Sequence, residues 1–91
     1  MADISVERPD EAQVRRMGLR KWPIWEKEVS EFEWHYDERE TCFILEGRVR
    51  VEPKGGGRAV EFGPGDLVTF PEGLDCTWKV QRPVRKHYRF G

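Results

Sequence analysis

The feature that most restricts the fold of this chain is the way glycine and proline punctuate its second half. Gly47, the run Pro53-Lys54-Gly55-Gly56-Gly57, Gly63-Pro64-Gly65, Pro71-Glu72-Gly73 and Pro83 break the sequence into strand-sized pieces. Between the breaks lie Val49 and Val51, then Val60 and Phe62, then Leu67 to Phe70, then Cys76, Trp78 and Val80, and finally Val84 to Phe90. Short apolar or alternating segments bounded by turn residues at this density read as strands of a sandwich or a closed barrel.

The same pattern extends upstream. Glu31 to Tyr36 alternates, with Phe32, Trp34 and Tyr36 on one side and Glu31, Glu33 and His35 on the other. Thr41 to Leu45 is a continuous apolar run ending at Gly47, and Pro23 confines the Trp22 to Trp25 stretch to an edge or a strand end. One helix stands apart. Asp10 is placed to cap it, Gln13 completes a capping box, Arg15 and Arg16 suit its C-terminal end, and Gly18 closes it. The expectation is an all-β barrel over about 20–91, preceded by an extension and short helix over 1–19, the whole of 1–91 forming one domain.

Composition narrows the function classes. Sixteen basic and 17 acidic residues leave a formal charge of −1, without the basic excess of a nucleic-acid binder. The charges are interspersed, as on a solvated outer surface. No run approaches a membrane span, and MADISVERPD lacks the apolar core of a signal peptide. Cys42 and Cys76, without a CxxC, read as reduced thiols of a cytoplasmic protein.

Two spaced patterns are more specific. Glu40 precedes Gly47 by six intervening residues within E-T-C-F-I-L-E-G, and Gly65, Pro71 and Gly73 keep the spacing G-x5-P-x-G, with Cys76 three residues beyond. In this the chain resembles the cupins, whose two motifs are G-x5-H-x-H-x3,4-E-x6-G and G-x5-P-x-G-x2-H-x3-N. The segments KWPIWEKEVSEFEW, ETCFILEG, GDLVTFPEGLDCTWKV and PVRKHY look like the small single-domain group related to the cupin domain of (S)-ureidoglycine aminohydrolase. The ethanolamine-utilisation cupins are similar, more distantly. The resemblance implies a cupin-type jelly-roll β-barrel and a homodimer.

Departures from the motifs bear on activity. One spacing of the first motif puts Trp34 and Tyr36 at its histidine positions, and the other puts Glu33 and His35 there. Glu28 stands at the leading glycine, Cys76 at the histidine of the second motif, and Val80 at its final asparagine. A metal, if held, falls to Glu40, Cys76 and Tyr36, a set that suits Zn more readily than Fe, with Mn and Ni also considered. Inward alternation gives a candidate pocket of Trp34, Tyr36, Glu40, Cys76, Trp78, Lys86 and Tyr88. Glu40 is the candidate catalytic residue, since burial among aromatic rings would disfavour its charged form and suit it to general acid or base work. Parity turns His35 and His87 outward.

Three functions are compatible with these residues. One is a metal-assisted enzyme acting on a nitrogenous or carbonyl-bearing small metabolite. Another is a ligand-binding module without metal, and the third an accessory dimer. Expected partners are a small-molecule ligand and a second copy of the chain, with neither nucleic acid nor membrane.

Overall fold

A computed structural model describes residues 3–91; of the extension expected over 1–19, Met1 and Ala2 lie outside the described residues. Seven antiparallel strands follow in chain order: β1 (Ser5–Glu7), β2 (Ile24–Lys27), β3 (Ser30–His35), β4 (Glu40–Pro53), β5 (Val60–Phe62), β6 (Leu67–Phe70) and β7 (Asp75–Phe90). Helix α1 spans Glu11–Met17, and a 3-10 turn follows at Leu19–Lys21. Among the described residues no helix is long and apolar enough to cross a membrane.

The two long strands organise the rest. β4 and β7 pair along their whole length, from Glu40 opposite Phe90 to Pro53 opposite Cys76. The first half of β4 takes β6 as its other neighbour, with β1 beyond, and its second half takes β5. Likewise β3 pairs with the first half of β7 and β2 with the second. The sheet therefore forks into two arms, β1-β6-β4-β7-β2 and β5-β4-β7-β3. Their inner faces meet in one core, to which Cys42, Ile44, Val68 and Phe70 come from one arm and Val49, Val51, Phe62 and Trp78 from the other. This is the jelly-roll arrangement expected of a cupin barrel.

The sequence reading placed breaks at Gly47 and Pro83, yet both lie inside continuous strands. The reason is geometric. The β4–β7 register shifts between Ile44 and Val49, where the ladder bends from one arm into the other. Gly47 has φ 106°, and a Cβ on it would lie 2.6 Å from the Pro83 carbonyl oxygen and 2.7 Å from Val84 Cα. The bend thus needs a residue without a side chain on β4, and it tolerates on β7 a proline that cannot donate to a ladder.

β1 is a second difference, since Ser5–Glu7 adds to β6 within what reads as an extension. Helix α1 is as expected: Gln13 N donates to Asp10 Oδ1, Asp10 N donates to Gln13 Oε1, and Gly18 ends the helix at φ 66°. Val14 and Leu19 carry it onto the outer face of the sheet, where Phe43 and Leu67 are buried with them. His87, opposite Phe43, lies under this cover with Nδ1 2.8 Å from the Trp22 carbonyl oxygen.

Candidate functional site

β4 and β7 are adjacent and both point alternate side chains into the barrel. Register places Glu40 opposite Phe90, Cys42 opposite Tyr88 and Ile44 opposite Lys86 on the same inner face. Two charged residues are thereby carried into an otherwise aromatic interior, and Glu40 and Lys86 are 4% and 5% exposed. Lys86 Nζ lies 2.7 Å from Glu40 Oε2 and 3.2 Å from Cys42 Sγ. The Cys42 thiol also donates to Glu40 Oε2, at 2.7 Å. One carboxylate oxygen therefore accepts both a thiol and an ammonium donor.

Around this cluster is a cavity of about 210 Å³. Trp25, Phe32, Tyr36, Trp78 and Tyr88 form its walls, and Trp34 and Phe90, both about half exposed, stand at its mouth. Lys86 Nζ lies over the rings of Trp25 and Trp78, 4.8 Å from each centroid, so aromatic faces supplement its ion pair. The rings also support one another. Tyr36 stacks on Phe70 at 4.7 Å, Phe32 stacks on Trp78 at 5.9 Å, and Trp78 Nε1 donates to Tyr36 Oη at 3.0 Å.

Burial opposes the charge on Lys86, but Cys42 and Glu40 facing it outweigh burial and raise its pKa above the ordinary lysine value. The residue is an ammonium, and so a donor and a fixed charge rather than an amine nucleophile. Burial drives the Cys42 thiol well above its usual range, more than the nearby Lys86 lowers it, so Cys42 keeps its proton. Tyr36 is raised for the same first reason, burial, with Glu40 adding to it.

The structure gathers Tyr36, Glu40, Trp78, Lys86 and Tyr88 around the cavity and sets Trp34 at its rim. It does not bring Cys76 to Glu40. Cys76 is fully buried beside Trp34 on β3 and Pro53 at the far end of β4, and its Sγ is 3.7 Å from the Trp34 carbonyl oxygen. Burial pushes its thiol up to about 11. The thiol at Glu40 is instead Cys42, which the sequence reading did not select, although alternation from Glu40 points to it. Nor does the carboxyl at position 40 stand alone among aromatic rings, because Lys86 lies beside it. Trp25, Phe32 and Phe90 are further lining residues beyond the expected set. His35 lies outside, with Nδ1 2.7 Å from Asp75 Oδ1.

A divalent metal fits these donors poorly. Glu40 already holds an ammonium, Tyr36 Oη is engaged by Trp78 and far from ionising, and the Cys76 thiol lies against the Trp34 carbonyl oxygen. Among the described residues no group of three or more His, Cys, Asp or Glu side chains is arranged to hold an ion. Within the set Glu40, Cys76 and Tyr36, the carboxylate is paired with Lys86 and Cys42 and the phenol with Trp78, so the three do not offer a shared free coordination point. Its place is taken by Lys86.

Comparison with known proteins gives a consistent result. The model of the EutQ-like cupin domain matches residues 14–88. A DUF861 family protein from Thermotoga maritima, known from a crystal structure, is 52% identical over 98% of this chain and 100% of its own, with a TM-score of 0.94. The EutQ protein of Clostridium difficile and an ethanolamine utilization protein Q of Salmonella typhimurium are each 22% identical over 74% of this chain, with TM-scores of 0.66 and 0.65. These two share the fold, and the present chain spans about half of their length (52% and 53%). No curated protein matches the chain.

Proposed function

The chain belongs to the EutQ-like cupin domain family, and from that premise we propose that it binds a small metabolite in the barrel without a metal, using Lys86 and Glu40 as polar anchors. The observation that carries this reading is the buried Lys86–Glu40 ion pair lining an aromatic cavity. An ion pair in a core is commonly no more stable than well-packed apolar residues of similar volume. Placed where a pocket opens, it supplies directional recognition that apolar walls lack. The resemblance to the cupin domain of (S)-ureidoglycine aminohydrolase favours a nitrogenous or carbonyl-bearing ligand. A cytoplasmic location and a homodimer belong to the same proposal, the latter checked by sedimentation equilibrium.

A thermal-shift screen of small nitrogenous and carbonyl metabolites, run with and without chelator, tests the reading. Binding that persists in chelator and is lost in Lys86→Met supports it. Binding that requires added Zn or Mn, or is indifferent to Lys86→Met, overturns it.

Catalysis is the second reading, and Glu40 Oε1 is the observation that favours it. This oxygen accepts no hydrogen bond from the described residues, yet it is not a sealed, unsatisfied atom, so it is accessible from the cavity. A carboxylate so placed can take a proton from a bound ligand while the Lys86 ammonium stabilises negative charge developing nearby. Turnover lost in Glu40→Gln, with binding retained, would distinguish enzyme from binding module.

A further inference from the structure

The unused hydrogen-bonding capacity of the Lys86–Glu40 pair, together with the size and walls of the cavity, specifies a class of ligand. Lys86 Nζ has three N–H groups and gives two to protein acceptors, Glu40 Oε2 and Cys42 Sγ. Glu40 uses Oε2 for both its donors and keeps Oε1. The pair therefore offers one donor and one acceptor side by side, with a net charge near zero. A ligand carboxylate would meet Lys86 well and Glu40 badly, and a ligand ammonium would do the reverse. A neutral head with an acceptor beside a donor satisfies both.

The walls and volume specify the rest. Trp25, Phe32, Trp78 and Tyr88 present ring surface, which suits a flat, unsaturated body by offset or edge-to-face contact. An apolar cavity of about 150 Å³ holds benzene. By proportion, this one takes a single ring with a small substituent, about eight or nine non-hydrogen atoms. Its half-exposed rim residues, Trp34 and Phe90, leave the far edge of that ring at the mouth. We infer that the site recognises a neutral, planar carboxamide or lactam, with its carbonyl oxygen on Lys86, its N–H on Glu40 Oε1, and its ring between the aromatic walls. This rests on the pocket proposed above as a binding site, and it adds the ligand's charge, shape and head group.

Isothermal titration calorimetry on the whole chain with benzamide, benzoate and benzylamine, near pH 7, tests the inference. The three probes share a ring and nearly the same size, and they differ in head-group charge. Benzamide is expected to bind tighter than either ion by about tenfold or more, because each ion leaves one buried group unmatched. Glu40→Gln should move the preference toward benzoate, and Lys86→Met should move it toward benzylamine. Equal or tighter binding of benzoate or benzylamine by the native chain overturns the inference and leaves the pocket a binding site. Failure of all three to bind at millimolar concentration likewise overturns the inference, while the binding reading stands or falls on the metabolite screen. The comparison on native protein stands even where a variant does not fold.

Discussion

Lys86 Nζ and Glu40 Oε2 lie 2.7 Å apart in the barrel interior, joined from strands whose register places Glu40 two pairs from Tyr88 and four from Lys86 along the same ladder. The pair is almost wholly buried, and among the described residues its one further hydrogen-bond partner is the Cys42 thiol, which contacts both groups. Removing one charge leaves the other in an aromatic cavity. Lys86→Met is therefore expected to destabilise the chain by about 3–5 kcal/mol, and the double variant Lys86→Met/Glu40→Gln by much less than the sum of the singles. A double-mutant cycle in urea measures this, and additive losses would show that the two residues do not act as a pair.

The bend of the long strands gives a second prediction. Alanine at position 47 meets both the left-handed φ and a carbonyl oxygen at 2.6 Å. At Gly55, in the β4–β5 hairpin at φ 85°, a Cβ would meet nothing within 4 Å. Gly47→Ala should cost about 3–5 kcal/mol, from backbone strain and overpacking together, and Gly55→Ala about 1 kcal/mol from strain alone. Equal midpoints in denaturant for the two variants would refute the assignment of Gly47 to the bend.

Alkaline pH should unfold the chain. The Cys76 thiol titrates at about 11 when folded, above the ordinary thiol range it returns to on unfolding. Between those values the unfolded chain holds fewer protons, so its share grows as pH rises. Cys42, Tyr36 and Lys86 are raised as well, so each acts in the same direction at higher pH. Stability contributed by these groups is complete below pH ~8.5 and falls as pH climbs through the folded values; Cys76 alone accounts for about 2 kcal/mol near pH 10.5. Urea titrations at pH 8 and pH 10.5 read the loss, and a midpoint that holds or rises would contradict it.

The two cysteines should behave differently when replaced, despite equal burial. Both are fully buried with raised pKa, so neither should react with a thiol reagent before unfolding. Cys42→Ala removes a donor to Glu40 and an acceptor for Lys86, and it should weaken ligand binding by about fivefold or more. Cys76→Ala leaves a small void in the core but removes no partner of Glu40 or Lys86, and should keep affinity within about twofold. Calorimetry on both variants decides, and a larger loss with Cys76→Ala would return that residue to the site.

Much of the architecture was legible because local chemistry and global fold agree. The Asp10–Gln13 capping box, the Gly18 stop and the glycine-rich hairpin at 55–57 each have a short-range cause and occur as read. Gly47 and Pro83 misled because the same residues that end strands also let two paired strands bend together. Which use applies depends on the partner strand. At the site, motif spacing singled out Glu40, and alternation, a property of each strand alone, pointed Trp78, Lys86 and Tyr88 the same way; all four line the cavity, with Tyr36. Cys76 points inward by the same alternation as Trp78, yet register sets it opposite Trp34 and Pro53 and away from the cavity lining, and neither motif nor alternation specifies register.

Sequence alone determined that this chain forms short antiparallel strands around an aromatic interior, with a carboxylate and a lysine on inward positions. Periodicity and turn chemistry act over a few residues, so they can be read without knowing what lies across the sheet. Only the tertiary structure decided that Glu40 meets Lys86 and that Cys76 lies elsewhere. That contact spans 46 positions in sequence and arises from the register of β4 on β7, which is set by the packing of both arms rather than by either strand.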